Sequence, residues 1–263
     1  MKFEIYQIDA FTDQLFSGNP AAVVPLEKWL EDDLLQKIAA ENNLSETAFY
    51  VSVGDHFHIR WYTPTKEVAL CGHATLAAAY VIHFKGAFNK SEISFDSMSG
   101  ILNVQKSGDK FILDLPIAIA IKIETPLWVK ECFEFETESV FKCDEDILLV
   151  YDNESIIKKI VPNFQFLKLV KARGVIISAE AIDKKIDFVS RFFAPTIGID
   201  EDSVTGSTHA SLAPYWGNVL NKKKLVAKQI SKRGGELDCE VLSDRIKIGG
   251  RAKLYLKGVI EIN

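Results

Sequence analysis

Apolar residues along this chain switch between two spacings, and the switches divide it into elements. Phe57, Ile59 and Trp61 alternate with His58, Arg60 and Tyr62, the period of two that a half-buried strand shows. Short apolar stretches at 3–11, 48–53, 93–95, 101–105 and 111–115 predict further strands, with Ser107-Gly108-Asp109 as a hairpin turn. Between 26 and 41 the spacing becomes helical: Leu30, Leu34 and Ile38 recur every four residues, and Asn42-Asn43 supplies a stop. Later strands are predicted at 147–151, 174–178, 188–193, 225–230, 236–242, 245–248 and 252–262. Two stretches, 74–84 and 209–219, are apolar nearly all round, which marks buried helices. Strands around one buried helix in each half predict a mixed α/β (α+β) architecture and not a βαβαβ order.

The two halves repeat a pattern. Arg60-Trp61-Tyr62-Thr63-Pro64 leads through Glu67 to Cys71-Gly72-His73-Ala74-Thr75. Arg191-Phe192-Phe193-Ala194-Pro195 leads through Asp200-Glu201-Asp202 to Thr205-Gly206-Ser207-Thr208-His209. Each is an Arg-led aromatic strand, a proline turn, an acidic stretch and a small-Gly-polar step into a helix. A repeat of this span predicts two similar lobes, residues 1–118 and 119–263, with the crossing at 116–126 and the last strand packing back on the first lobe. It also predicts paired helix starts, at Gly72 and Gly206, facing each other across a cleft.

Composition narrows the function classes. A net charge of −5 gives no basic footprint for nucleic acid or anionic membrane, and Lys222-Lys223-Lys224 fits a solvated turn. The N-terminus has no apolar signal core, and no apolar stretch approaches the roughly 20 residues that span a bilayer. Four dispersed cysteines (Cys71, Cys132, Cys143, Cys239) make neither a disulfide framework nor a zinc knuckle. Reduced thiols in a cytoplasmic protein are expected.

Candidate chemistry gathers at the repeated steps. A glycine where strand turns into helix lets backbone approach a ligand, and first-turn N–H groups attract an anion, although both glycines would equally permit a tight turn. His73 follows Gly72 on an apolar helix, as a catalyst or as a hydrogen-bonded core residue, and Ser207 occupies the equivalent place. Asp202 is a candidate to orient His73 or bind an amine, though an acid there would also favour a helix N-terminus. Glu46 sits between a helix end and an apolar strand, where partial desolvation raises a carboxyl pKa toward a value useful for proton shuttling. His56 and His58 share a strand face but lack a third ligand, so no metal site is expected. There is no G-x-S-x-G and no G-x-G-x-x-G after a strand.

Taken together, five signatures resemble the PhzF family, the phenazine-biosynthesis-like proteins of the diaminopimelate epimerase superfamily. They are Asp9-Ala10-Phe11-Thr12 with Phe16-Ser17-Gly18-Asn19-Pro20, then Asn43-Leu44-Ser45-Glu46-Thr47-Ala48-Phe49, then Glu67-Val68-Ala69-Leu70-Cys71-Gly72-His73, then Phe193-Ala194-Pro195 with Glu201-Asp202-Ser203-Val204-Thr205-Gly206-Ser207, and last Gln229 to Leu237 with Ile248-Gly249-Gly250. The resemblance implies two pseudo-symmetric lobes, each a curved, mostly antiparallel sheet around a central helix, with a site between them. It also implies a small carboxylate-bearing substrate, no cofactor, no metal and a homodimer. In such an isomerase a single Glu, here Glu46, moves a proton between two carbons. Substrate binding falls on His73, Asp202 and Ser207, with Gly72, Gly206 and Ser45 beside them. The superfamily's racemases instead use two cysteines, one at each helix start. This chain has Cys71 at the first position and Thr205 at the second, and a threonine hydroxyl is too weak an acid and base for that task. A non-catalytic binding protein on the same fold, and an epimerase pairing Glu46 with another base, remain as alternatives.

Overall fold

A computed structural model describes residues 1–86 and 90–262. The chain forms two units, Met1–Leu115 with Gly249–Asn263, and Pro116–Ile248. The first unit begins with β1 (Lys2–Ala10), β2 (Asn19–Leu26), α1 (Asp32–Asn42), β3 (Glu46–Val53) and β4 (His56–Tyr62). It continues through β5 (Glu67–Val68), α2 (Gly72–Phe84), β6 (Glu92–Ser97), β7 (Gly100–Ser107) and β8 (Lys110–Pro116). The second holds β9 (Ala120–Ile123), α3 (Trp128–Cys132), β10 (Ser139–Cys143), β11 (Asp146–Val150), α4 (Glu154–Lys159) and α5 (Phe164–Leu167). Then come β12 (Gly174–Glu180), β13 (Phe188–Ala194), β14 (Ile199–Asp202), α6 (His209–Leu220), β15 (Lys224–Gln229), β16 (Gly235–Val241) and β17 (Arg245–Gly250). The chain re-enters the first unit at the end of β17, and β18 (Ala252–Glu261) pairs antiparallel with β1.

Strand pairing is duplicated as well as sequence. In the first unit β1 runs antiparallel to β2, β2 parallel to β3, β3 antiparallel to β4, and β4 antiparallel to β5 but parallel to β6. In the second, β10 to β15 repeat that order: β10–β11 antiparallel, β11–β12 parallel, β12–β13 antiparallel, β13–β14 antiparallel and β13–β15 parallel. Each parallel pair needs a crossover, supplied by α1 and α2 in the first unit and by α4 with α5, then α6, in the second. The buried face of α1 (Leu35, Ile38, Ala39) packs with Val24, Phe49 and Tyr62. In the second unit Ile157 and Leu167 join Leu149, Ile177 and Phe193.

The all-round apolar character of α2 follows from its place: it packs against β1, β2, β3, β7 and β18. In α6, Trp216 stacks on Phe188 and donates its indole N–H to Ser178 Oγ at 2.8 Å. Among the described residues no helix is long and apolar enough to cross a membrane. All four cysteines are free and buried.

Two expectations change. The helix predicted from residue 26 begins at Asp32, because β2 continues through Leu26 to complete its pairing with β3. The expected second helix start at Gly206 is a tighter turn: His209 and Ala210 N–H bond back three residues to Gly206 and Ser207, and α6 begins at His209. That turn is anchored by His209, whose ring is fully buried and hydrogen-bonded through Nδ1 to the Thr205 carbonyl at 2.8 Å.

Burial pushes the pKa of His209 from 6.5 down to about 4, against a smaller upward pull from the Thr205 carbonyl. The neutral ring therefore stabilises the fold fully above about pH 6.5. That contribution is lost as pH falls through 6.5 toward 4 and amounts to about 3 kcal/mol. Urea titrations between pH 7 and 4 should show the loss, and His209→Phe should flatten it. Gly18, at φ +68°, has Ala10 O only 2.2 Å from where a Cβ would sit. Gly18→Ala should lower stability by about 2–3 kcal/mol in the same titration at pH 7.

Candidate functional site

In the first unit three segments bring polar groups to the start of α2. The parallel register of β2 with β3 sets Ala21 opposite Glu46, so Glu46 opens β3 next to the loop that carries Asn19. That loop is shaped locally: buried Asp9 accepts the Phe16 N–H at 3.0 Å, and Thr12 and Ser17 hydroxyls meet at 2.5 Å. Gly18 then turns the chain so that Asn19, fully buried, faces His73. Cys71 is the extended residue before α2, and its carbonyl accepts both the N–H and the hydroxyl of Thr75.

These positions surround one imidazole. His73 Nδ1 lies 3.3 Å from Asn19 Nδ2 and 3.5 Å from Cys71 Sγ, and Nε2 lies 3.1 Å from Glu46 Oε2. The His73 and Glu46 side chains are only 6% and 13% exposed. The Nε2–Oε2 separation is that of an ion pair, and both atoms are buried. Burial alone would push the His73 pKa down. The negative charge that Cys71 and Glu46 can carry outweighs burial, and the pKa stands well above 6.5. Burial, and after it the Glu46 carboxylate, push the Cys71 thiol up against the opposing pull of His73.

The ligating atoms of Glu46, Cys71 and His73 lie within 4.8 Å of one another, close enough to raise the question of a metal. Cys71 and Glu46, however, face opposite nitrogens of the ring, and one ion can take only one of them. Ser45 stands half-buried beside Glu46, and Gly72 is the first residue of α2.

The second unit has its own polar cluster. Thr205 Oγ1 donates to Asp202 Oδ2 at 2.5 Å, and Gln229, fully buried at the end of β15, ties the segment down. Gln229 Oε1 accepts the Thr205 N–H at 2.9 Å while its Nε2 donates to the Asp202 carbonyl at 2.9 Å. Gly206 and Ser207 form the turn into α6, and Ser207 Oγ accepts from Arg173. Arg173 in turn forks onto Asp146.

Strand register shows what replaces Glu46 in the repeat. Phe49 pairs with Arg60 and Ile177 pairs with Arg191, so Glu46 corresponds to Gly174 and Ser45 to Arg173. A Cβ on Gly174 would lie 2.4 Å from the Phe192 ring, so the second unit has no room for a side chain there. Sequence reasoning selects Glu46, His73, Asp202 and Ser207; it gives no role to Asn19 and Gln229, which lie inside the signatures, and none to Arg173 and Asp146. A polar residue at the start or end of an apolar run is the signal all four share, and without pairing partners that signal is weak.

Comparison with known proteins agrees with this architecture. The family model described as phenazine biosynthesis-like protein matches residues 8–258. A protein of Pseudomonas aeruginosa named an uncharacterized isomerase is 45% identical, with all of both chains covered. A crystal structure of a phenazine biosynthesis protein of the PhzF family from Enterococcus faecalis superposes with TM-score 0.96 at 42% identity, also over all of both chains. A hydroxyproline epimerase from Agrobacterium vitis shares the fold at TM-score 0.63 and 10% identity, covering 98% of this chain and 92% of its own. With residues 8–258 matched by the family model and the whole length by relative and structure, the chain belongs to the phenazine biosynthesis-like (PhzF) family.

Proposed function

We propose that this protein is a cofactor-independent isomerase that moves a proton between two carbons of a small carboxylate-bearing substrate, with Glu46 as the only acid and base. The observation that carries the proposal is the buried Glu46–His73 contact at 3.1 Å, which sets a carboxylate against an imidazole at the start of α2. Glu46 takes a proton from one carbon of the substrate. Held away from water, it returns the same proton to a second carbon. The charged imidazole beside it offsets the negative charge that builds on the substrate.

The isomerase named among the relatives supports the same reaction class. A two-thiol racemase is disfavoured because Thr205, at the place of the second thiol, gives its hydroxyl to Asp202. Asp202, Ser207, Ser45, Gly72 and Gly206 are assigned to holding the substrate. A homodimer in the cytoplasm belongs to the same proposal.

Glu46→Gln should reduce turnover by a factor of about 10² to 10⁴. It should also abolish solvent deuterium incorporation, followed by mass spectrometry across a panel of cyclic and acyclic amino and hydroxy acids. Undiminished exchange would overturn the assignment. The raised pKa of His73 sets the pH dependence: kcat/KM should hold through neutral pH and fall as pH rises past that value, when the imidazole loses its charge. His73→Asn should lower kcat/KM and remove the alkaline limb, and a limb that persists would place the titration elsewhere.

A further inference from the structure

We infer that Arg173 is a positioning residue that turns the Ser207 proton away from itself, so that the second unit presents the Ser207 hydroxyl as a donor to a carboxylate. The inference rests on the isomerase reading for the identity of the reaction but not for the binding it describes.

A hydroxyl oxygen has two lone pairs and one proton and ordinarily serves as donor or acceptor as its neighbours require. A guanidinium only donates. Arg173 reaches Ser207 Oγ with both terminal nitrogens, each at 3.3 Å. The two N–H groups converge on Oγ from one side in a three-centre bond, which turns the Ser207 proton away from the guanidinium.

Arg173 is held for this task from every side. Nε donates to Asp146 Oδ1 at 2.9 Å, and Nη2 donates to the other carboxylate oxygen. The guanidinium lies 5.3 Å over the Phe192 ring. Its backbone N–H donates to the Glu145 carbonyl at 2.7 Å, and its carbonyl accepts the Thr196 hydroxyl at 2.7 Å. Asp146, only 4% exposed, balances the charge, so Arg173 brings direction and little net positive field.

The repeat gives this arrangement its meaning. Ser207 stands where the first unit has His73, and Arg173 stands beside the position that Glu46 occupies there. One unit places an ionisable pair at the repeated turn, and the other places a fixed donor. A carboxylate is the ligand such a donor favours, because a hydrogen bond to a charged oxygen is stronger than one to the neutral carbonyl of a carboxamide. A lysine cannot replace the arginine, because one ammonium lacks the planar fork that holds both Asp146 oxygens and reaches Ser207 Oγ at once.

Isothermal titration of the full chain with acetate, benzoate and 2-aminobenzoate, each beside its uncharged amide, tests the assignment. The wild type should prefer at least one carboxylate to its amide. Ser207→Ala should weaken that binding about 10-fold or more. Arg173→Lys should weaken it comparably, and the double variant should be no weaker than Ser207→Ala alone. Should loss of Arg173 leave Asp146 buried and unpaired and prevent folding, Arg173→Gln with Asp146→Asn removes both charges and carries the same expectation. Full carboxylate affinity in that pair, rescue by lysine, additive losses, or no carboxylate preference in the wild type would each overturn the inference. Glu46→Gln serves as the independent arm. It should keep carboxylate affinity while losing proton exchange, and retained exchange would sink the isomerase reading while leaving the Arg173 assignment standing.

Discussion

Each unit is organised by an arginine–glutamate fork. Arg60 on β4 donates to both oxygens of Glu67 on β5, at 2.7 and 2.8 Å, and Arg191 on β13 does the same to Glu201 on β14, at 2.7 and 2.9 Å. Both arginines also lie over aromatic faces, Arg60 over Tyr62 and Trp29, Arg191 over Phe193. A bidentate pair fixes two planes as well as a distance. It therefore pins the short return strand that leads, four residues after each glutamate, to Cys71-Gly72-His73 and to Thr205-Gly206-Ser207. Without the fork the turn would hang from two or four residues of strand.

The scaffold is duplicated, and the chemistry placed on it is not. Glu46 has Gly174 as its counterpart, and the ring of Phe192 fills the space a side chain would need. Cys71 has Thr205, which is bound to Asp202, and His73 has Ser207, which is bound to Arg173. Divergence of this kind leaves the strand pairing untouched, because every exchanged residue lies at a strand end or in the turn that follows. The long strand interiors and the buried helices α2 and α6 keep a common pattern of pairing and burial.

Most of the fold was legible because long periodic segments declare themselves. The alternation in β4 and the all-apolar α2 needed no partner to be recognised. The elements missed include β5, β9, β10 and β14 and the short helices α3, α4 and α5, which run for only two to six residues, too few for a period to repeat clearly. Glu46, His73, Asp202 and Ser207 were legible through motif and repeat. Asn19 and Arg173 were not, because their roles come from register: Asn19 follows a left-handed glycine, and Arg173 lies across a parallel crossover from Asp146. The acidic stretch was noticed in sequence, yet which of Asp200, Glu201 and Asp202 meets the arginine became visible only with the strands paired.

The return of β18 to β1 has a consequence for the order of folding. The second unit is a continuous run of chain, whereas the first cannot pair β1 with β18 until almost the whole polypeptide has emerged. During synthesis β1 can find β2 at once, but its other edge waits for the last strand and is open to wrong partners meanwhile. Contacts this distant in sequence are slow to form. The later-made unit is thus the first able to complete itself, and the unit bearing Glu46 is the last to close.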